Sequence, residues 1–478
     1  MAFIFLDYIF GAFLVTFAYF LKQKKSPTLP VPPGPQGLPI IGNALQIPKE
    51  RTWLVYADWA KKYGDLTHLT AFGQHLIIVN TRSAARELLE KRNASYSGRV
   101  HMTFAGELIG WKKSVAMVEG PRHTQTRRMA QPFMSLSSVR AQYGDGMTCE
   151  AHRLLQNLLD CPDKWMEHYR SSAGAFIMLT TYGTQPGKER DALVDEAKSV
   201  VYHFSVAATP GNWMVDFLPF LKHVPSWVPG FGFNATAKTW HDELEHLVNS
   251  PFDRVKTLMS RHRMTPCIAS RLLENNPDFE SEMLIRWLCG SLFAAGADTT
   301  VGALACFTLA MTNFPAAQRI AQTELDAIVG RDRLPAFHDL DHAPYVHALV
   351  KEVLRWGIIV PMGFPHRLAA QEDDVYQGWR IPANTLLMPN SWAIPVFGFG
   401  GRVCLGQHVA YATLLIQIAS ILATFDICGV IGKDGKQIAP GNVGFSTGVV
   451  THPDPFQTVL RPRSREAMEL IQAANAFE

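Results

Sequence analysis

The feature that most constrains this chain is a cysteine in a glycine-rich segment, residues 397–406. The segment reads Phe-Gly-Phe-Gly-Gly-Arg-Val-Cys-Leu-Gly, which places Cys404 two residues after Arg402. An apolar stretch typical of a helix follows, from His408 to Phe425. Positive charge, free backbone N–H groups and a helix N-terminus favour a thiolate over a thiol. The pattern therefore predicts a metal-ligating thiolate on a tight loop. The alternative is a buried free cysteine in a turn.

The order of residues in this segment, F-x-x-G-x-R-x-C-x-G, resembles the haem-binding loop of cytochromes P450. In that family a cysteine thiolate is the axial ligand of the haem iron. The resemblance implies that Cys404 ligates the iron of haem b. It also implies that Phe397, Gly400 and Arg402 belong to the cofactor site.

Composition indicates one large domain with a sizeable core. The chain has 478 residues, 47% of them hydrophobic and 18% charged, and no low-complexity linker divides it. A net charge of +3 is too small to suggest a nucleic-acid partner. The seven cysteines are scattered and include no C-x-x-C pair, which argues against a disulfide framework or a zinc site and favours a reducing compartment.

The N-terminus predicts a single transmembrane anchor at residues 1–21. Residues 3–21 are almost all apolar, and as a helix they span about 28 Å, close to the hydrocarbon thickness of a bilayer. Lys22, Lys24 and Lys25 follow, so the positive-inside rule places the rest of the chain in the cytosol. A cleaved signal peptide is the alternative, but its basic residues precede its apolar core.

A basic and proline-rich hinge is expected at residues 22–42. Its run from Pro32 to Gly42 resembles the hinge of microsomal P450s. We expect residues 43–478 to form the haem-thiolate catalytic domain, in the endoplasmic reticulum membrane and facing the cytosol.

The expected fold is mainly α with small β-sheets, the P450 fold behind the anchor. Strands are predicted at Gln74–Asn80 and Asp374–Ile381. A long helix is predicted from Glu282 to Thr312, because its apolar pattern continues until just before Pro315.

Near the middle of that helix lies Ala295-Gly296-Ala297-Asp298-Thr299-Thr300. Small residues would let a flat ligand approach the backbone, and threonine hydroxyls compete for helix carbonyls. The alternative is a glycine merely tolerated in a buried helix. The segment resembles the oxygen-activating stretch of the central P450 helix. That implies that the Thr299 hydroxyl assists oxygen activation and that Asp298 relays protons to it.

Two further segments contribute expected site residues. Glu352 and Arg355 have helical spacing and predict a buried ion pair. With the Pro361–Arg367 run that follows, they resemble the family's E-x-x-R helix and P-x-x-x-P-H-R strand. The resemblance implies a structural ion pair and a contact between His366 and a haem propionate.

Upstream, residues 120–128 resemble the helix that crosses one edge of the haem. That implies propionate contacts from His123 and Arg127, and the alternative is a solvated basic face. Arg402 is expected to make a further such contact.

The chain departs from the family pattern before the cysteine loop. The family normally has several dozen residues there, which form a meander beneath the haem. Here Asn390–Ile394 continues through Pro395 and Val396 directly into Phe397. A segment between Ile394 and Phe397 is therefore expected to be missing, together with the third member of the family's Glu-Arg-Arg network. The missing segment has three candidate explanations: a skipped exon or faulty gene model, a non-productive isoform, or a genuine divergence.

The resemblance implies a monooxygenase that inserts one oxygen atom of O2 into a lipophilic small molecule. The pattern is most similar to basidiomycete-type fungal enzymes of secondary metabolism, and xenobiotic oxidation is an alternative role. Electrons are expected from NADPH–cytochrome P450 reductase. Two different functions stay open at this point: an O2-independent haem-thiolate isomerase or dehydratase, and a non-catalytic or misassembled truncated form.

Several segments are expected to contact the substrate or the lipid. The resemblance implies substrate contacts from the segment after Arg99, the surface near Phe293, the Ile358–Phe364 turn and the Phe445–Gly448 loop. The stretch Trp213–Phe233 is either core or a surface that dips into the membrane.

Overall fold

The computed structural model describes residues 29–184, 188–357, 359–390, 395–432 and 435–476. The predicted anchor at residues 1–21 lies outside the described residues. The predicted junction after Ile394 is described only from residue 395 onward.

The described chain is mainly helical with small sheets, as predicted. The helices are α1 Thr52–Tyr63, α2 Arg82–Ala85, α3 Asn93–Tyr96, α4 Gly120–Met134, α5 Leu136–Asp160, α6 Trp165–Tyr182, α7 Lys188–Ala207, α8 Met214–Phe217, α9 Phe233–Ser260, α10 Ile268–Leu273, α11 Phe279–Asn313, α12 Pro315–Val329, α13 Phe337–Leu340, α14 Pro344–Trp356, α15 Gln407–Thr424 and α16 Arg465–Ala476. The strands are β1 Leu66–Ala71, β2 Gln74–Val79, β3 Gly98–Arg99, β4 His366–Arg367, β5 Asp374–Tyr376, β6 Trp379–Ile381, β7 Leu386–Pro389, β8 Phe425–Cys428, β9 Val430–Ile431, β10 Gln437–Ile438 and β11 Val459–Pro462.

The long helix α11 confirms the helix predicted from Glu282 to Thr312 and extends it by three residues at its start. Asp278 caps it by accepting a hydrogen bond from the Ser281 N–H (2.8 Å). It ends at Asn313, because Pro315 cannot continue the same helix. The first part of α11 packs in one hydrophobic core and the second part in another, so the helix connects the two.

Two helices of the described chain, α11 and α15, are long and apolar enough to cross a membrane. The protein itself buries 78% of the apolar window in α11 and 67% of that in α15. Such burial is what a core helix shows.

The largest sheet of the described chain has five strands in the order β1-β2-β7-β4-β3. The predicted strand Gln74–Asn80 is confirmed as β2, which pairs antiparallel with β1 and parallel with β7. At the other edge, β3 pairs antiparallel with β4, and Arg99 is the direct partner of His366. This pairing joins two residues that are 267 positions apart in the sequence.

The predicted single strand Asp374–Ile381 is wrong, because the segment is a hairpin of β5 and β6. The chain reverses at Gln377 (φ 50°) and Gly378 (φ 81°). Two consecutive residues with positive φ are what a tight two-residue hairpin turn requires. Gly378 is the residue in the sequence that indicates this turn.

Candidate functional site

The cysteine loop, residues 397–406, depends on two glycines. Gly398 (φ 77°) and Gly400 (φ 50°) occupy the left-handed region, where other residues are strained. A Cβ atom on Gly400 would lie 2.7 Å from the Leu89 carbonyl oxygen, so only glycine permits this approach. The Cys404 N–H donates a hydrogen bond to the Phe397 carbonyl (2.7 Å) and closes the loop. Helix α15 then begins at Gln407, close to the predicted His408.

The Cys404 side chain is solvent-accessible but closely surrounded by protein. Burial raises the pKa of its thiol, while the Gly406 N–H and the charge of Arg127 act in the opposite direction. The predicted N–H and cationic contributions are therefore present, and burial is the largest contribution to the raised pKa. The charge comes from Arg127 on α4 and not from the neighbouring Arg402. A metal cation bound to the sulfur would instead lower the pKa of the Cys404 thiol, because a coordinating thiol is deprotonated.

Five basic side chains lie together beside the cysteine loop, and we call them the cationic cluster: Arg99, His123, Arg127, His366 and Arg402. Burial, followed by the charge of Arg402, lowers the pKa of Arg99 to about 9. Burial also lowers the pKa of Arg402 to about 10, and the charge of Arg127 contributes. Burial and the charges of Arg402, Arg127 and Arg99 lower the pKa of His123 to about 4. The cluster therefore contains three mutually repelling, partly desolvated guanidinium cations and two histidines that are neutral near pH 7.

The arginines of the cluster donate hydrogen bonds to backbone carbonyl groups. Arg402 donates to Ser97 (2.9 Å) and Val118 (2.7 Å), and Arg127 donates to Val403 (2.8 Å). Buried Arg99 donates to the carbonyls of Ala116, Phe364 and Pro365. These bonds fix the guanidinium groups but do not neutralise them.

Few carboxylates balance the cluster. Within the described chain, Glu119 is the only carboxylate whose charge acts on any of its five members. Glu119 is itself paired with Arg367 at 3.0 Å and accepts a hydrogen bond from the Arg99 N–H. Buried charges need paired counter-charges, so the donor set fits an anionic ligand. The two propionates of haem b, beside an accessible thiol, meet that requirement.

His366 lies in the cluster as a neutral ring. Its Nδ1 donates a hydrogen bond to the Tyr96 carbonyl (2.9 Å), and the residue is buried on β4. Burial and the charge of Arg99 lower the pKa of His366 to about 3. The structure therefore groups the predicted residues His123, Arg127, His366 and Arg402 with Cys404. Sequence reasoning missed Arg99, because only the β3–β4 pairing reveals its position.

His123 and His366 are expected to make the fold sensitive to acid. Both have a lower pKa in the folded protein than the ordinary value of 6.5, so the unfolded chain binds more protons below that pH. We expect the unfolding free energy of the haem-free protein to fall as the pH drops from about 6.5 towards 4. His366→Asn keeps a donor for Tyr96 and should flatten that dependence in denaturant titrations. An unchanged pH slope in this variant would contradict the assignment.

Asp298 and Thr299 lie in the middle of α11, as predicted. The Thr299 hydroxyl donates to the Ala295 carbonyl (2.8 Å), which confirms the expected competition for helix carbonyls. Asp298 Oδ1 lies 3.1 Å from Nε2 of His452, a partner that sequence reasoning missed. Leu405, adjacent to Cys404, belongs to the same hydrophobic cluster as Ala297.

Gly296 and Phe293 of this helix pack against α6. A Cβ atom on Gly296 would lie 3.0 Å from Cγ1 of Ile177, so its small size permits close packing of α11 on α6. The exposed small residue is Ala295. Phe293 itself is fully buried and packs edge-on against Tyr182, and the substrate surface expected near it stays a prediction.

A cavity of about 600 Å³ lies beside Asp298. The predicted Phe445–Gly448 loop contributes Ser446 and Thr447 to its wall, and α7 contributes several residues. Most of the lining residues are polar by type, but apolar atoms form the larger part of the wall. It consists of Lys49, Glu50, Arg170, Lys198, Ser199, Tyr202, His203, Ser205, Val206, Thr209, Asn212, Asp298, Ser446, Thr447, Val450 and His452.

The predicted Glu352–Arg355 ion pair forms on α14, with Arg355 Nε 2.7 Å from Glu352 Oε2. The expectation that it is buried is wrong, because the two side chains are 58% and 69% exposed. Within the described chain no segment covers this face of α14. Glu150 and Arg153 have the same spacing, and there the glutamate side chain is only 5% exposed.

A mainly helical fold with an accessible cysteine beside buried cations has the features of a haem-thiolate protein. The Cytochrome P450 family model matches residues 32–396, so the match ends one residue before the cysteine loop. One relative of this chain is cytochrome P450 monooxygenase 208 of Postia placenta, which is 39% identical over 95% of this chain and 94% of the relative. Monooxygenase claR of Ampulloclitocybe clavipes is 36% identical over 92% and 88%. Tryptamine 4-monooxygenase of Psilocybe cyanescens is 34% identical over 95% and 97%.

The chain therefore belongs to the cytochrome P450 family. Its relatives are named as monooxygenases and come from fungi. The family implies haem with an iron ligated by a cysteine thiolate, a redox partner that supplies electrons, and a small-molecule substrate.

Proposed function

We propose that this chain is a haem-thiolate monooxygenase in which Cys404 is the axial ligand. The observation that carries the proposal is the proximity of the Cys404 loop to the cationic cluster, which lacks sufficient protein counter-charge. His123, Arg127, His366, Arg402 and Arg99 would hold the propionates. Phe397 and Gly400 would shape the loop under the ring. When bound, the haem supplies the activation of O2 that the insertion of one oxygen atom requires.

Asp298 and Thr299 are proposed to supply protons on the α11 side of the site. Both lie at the middle of a largely apolar helix, and Asp298 is the only acidic or basic residue of that helix after Arg286. A carboxyl group and an adjacent hydroxyl group are suited to proton transfer at a site from which bulk water is excluded.

A membrane location is supported by an apolar surface on the described part of the chain. Ile40 is 88% exposed, and Trp227, in the Trp213–Phe233 stretch, is 81% exposed. The two segments approach each other at Phe72, whose N–H donates to the Ile41 carbonyl and whose ring lies 5.1 Å from that of Phe217. Exposed apolar residues on neighbouring segments favour contact with lipid.

This surface and the predicted anchor together support an enzyme of the endoplasmic reticulum membrane, with its catalytic domain in the cytosol. Met214 and Phe220 are also exposed, whereas Trp213 and Phe233 pack against the core. The Trp213–Phe233 stretch therefore contains both core residues and exposed apolar residues that are available to contact the membrane. A lipophilic substrate that enters from the membrane agrees with this arrangement. The similarity to fungal monooxygenases supports a role in secondary metabolism or xenobiotic oxidation.

NADPH–cytochrome P450 reductase of the same membrane is the proposed electron donor. The sequence carries no nucleotide-binding fingerprint, so the chain does not bind NADPH by a recognised motif. A partner must then deliver the electrons.

We further propose that a segment covering α14 in relatives is missing between Ile394 and Phe397. The exposed Glu352–Arg355 pair and the family match that ends at Val396 support this. The alignment with the Postia placenta relative spans 485 positions, although only 95% of the 478 residues here take part, so some of its positions have no counterpart in this chain.

An exposed ion pair should contribute little to stability. We expect Glu352→Ala to lower the free energy of unfolding of this chain by less than about 1 kcal/mol. Glu150→Ala is the matched variant with a buried carboxylate and should cost more, about 1.5–3 kcal/mol, the range for a hydrogen bond to a charged group. Denaturant titrations of both variants measure the difference. A cost at Glu352 as large as that at Glu150 would contradict the absence of a covering segment.

The proposed function is tested by co-expressing the chain with a fungal reductase in yeast and supplying lipophilic compounds to the microsomes under ¹⁸O2. A product that carries one ¹⁸O atom and depends on NADPH is expected. Conversion without incorporation of ¹⁸O would contradict a monooxygenase and favour an O2-independent isomerase or dehydratase.

A further inference from the structure

The C-terminal loop contributes a histidine to the α11 site. His452 Nε2 lies 3.1 Å from Asp298 Oδ1, and the side chains are only 20% and 19% exposed. It is the one ion pair or side-chain hydrogen bond found for Asp298 in the described chain. A mostly buried pair of this kind fixes the direction of the carboxylate more firmly than a surface pair does.

The backbone around His452 is held on both sides. The His452 N–H donates to the Ser446 hydroxyl (3.0 Å), and the Ser446 N–H donates to the His452 carbonyl (2.9 Å). The neighbouring Thr451 N–H donates to the Ile359 carbonyl (2.8 Å). A Cβ atom at Gly302 would lie 3.2 Å from the Thr451 carbonyl oxygen, so the loop packs directly on α11 one turn after Asp298. The backbone that carries the imidazole is therefore held against α11.

Asp298 and Thr299 do not share a face of α11. Consecutive residues of an α-helix are separated by about 100°, and the Thr299 hydroxyl is bonded to the Ala295 carbonyl. The position of the Asp298 carboxylate thus depends on what holds it. Both Asp298 and His452 line the 600 Å³ cavity, as do Ser446 and Thr447 of the same loop.

We propose that His452 is a positioning residue that orients Asp298 for proton transfer at the proposed monooxygenase site. This inference rests on the proposed function. His452 Nε2 lies at ion-pair distance (3.1 Å) from one carboxylate oxygen and would hold it in place. The other oxygen remains available to accept a proton from the cavity and release it towards Thr299. The loop that carries His452 also forms part of the cavity wall. The same loop therefore determines both the shape of the cavity wall and the position of the Asp298 carboxylate.

The test compares His452→Ala, His452→Gln and Asp298→Asn, together with the double variant His452→Ala/Asp298→Asn, in the reductase-coupled assay. We expect His452→Ala to lower kcat about 10-fold with little change in KM, because a misplaced acid slows the reaction without weakening binding. Glutamine keeps an N–H donor and should recover most of that loss. The double variant should be no slower than Asp298→Asn alone, since His452 acts through Asp298.

The control is His246→Gln, which changes another histidine paired with a carboxylate. His246 Nδ1 lies 2.7 Å from Glu196, and the histidine side chain is 61% exposed. This variant should leave kcat unchanged. A second readout needs no turnover: in thermal unfolding of the haem-free proteins, the Tm losses of the two single variants should not add in the double variant.

Three results would overturn the inference. These are an unchanged kcat in His452→Ala, effects of the two substitutions that multiply in the double variant, and additive Tm losses. If the parent chain forms no ¹⁸O-labelled product, the proposed function fails and this inference fails with it. Failure of the His452 variants in a parent that is active overturns this inference alone.

Discussion

Cys404→Ser should abolish thiolate ligation and monooxygenase turnover while leaving the fold intact. A serine hydroxyl is not a thiolate donor to iron, so the electron donation that the family's chemistry requires is lost. The Cys404 side chain is accessible, and substitutions away from packed positions usually change the free energy of unfolding by about 0.5 kcal/mol or less. We expect no product above background, and an unfolding midpoint of the haem-free protein equal to that of the parent.

Cys161→Ser provides the matched control, because Cys161 is also an exposed cysteine and lies at the end of α5. It should retain the parent's absorption spectrum and turnover. A Cys404→Ser protein that kept the spectrum of a thiolate-ligated haem would show that another residue ligates the iron. The cysteine loop and the cationic cluster would then have a function other than holding a haem through Cys404.

Substitutions of Asp298 and Thr299 are expected to have the second large effect on turnover. Asp298→Asn removes the ionisable proton carrier and should lower the rate of product formation about 100-fold, the lower range for loss of a general acid. Thr299→Ala should raise the fraction of NADPH that is consumed without product, because the hydroxyl no longer directs the proton. Both are measured as product and NADPH consumption in the same microsomes.

Thr300→Val is the control for these variants. Thr300 follows directly on the helix but is buried, so valine of similar shape should preserve both rate and coupling. Full turnover in Thr299→Ala would contradict the oxygen-activating role and favour the O2-independent isomerase or dehydratase.

The features predicted correctly from the sequence are those fixed by local pattern. The apolar periodicity of α11 and the proline after it determine where that helix ends. The glycine spacing around Cys404 determines the turn. Each depends on backbone preferences within a few residues, so no knowledge of distant contacts is needed.

Features that depend on contacts between distant segments cannot be predicted in this way. Arg99 joins the cationic cluster because β3 pairs with β4, and His452 reaches Asp298 because the C-terminal loop packs on α11. Local pattern alone also predicts the Glu352–Arg355 pair but not its exposure, which depends on whether another segment covers α14. The small size of Gly296 suggests room for a ligand, whereas the neighbouring helix explains it.

The central claim is that Cys404 and the cationic cluster hold a thiolate-ligated haem in this chain as written, without a further segment before Phe397. The carbon monoxide difference spectrum of reduced membranes that contain the chain tests it most directly. We predict the band characteristic of a haem with a cysteine thiolate opposite the bound carbon monoxide. A band at the position of a neutral-thiol complex, or no haem at all, would contradict the claim. That result would assign the activity to a longer product that includes the missing segment.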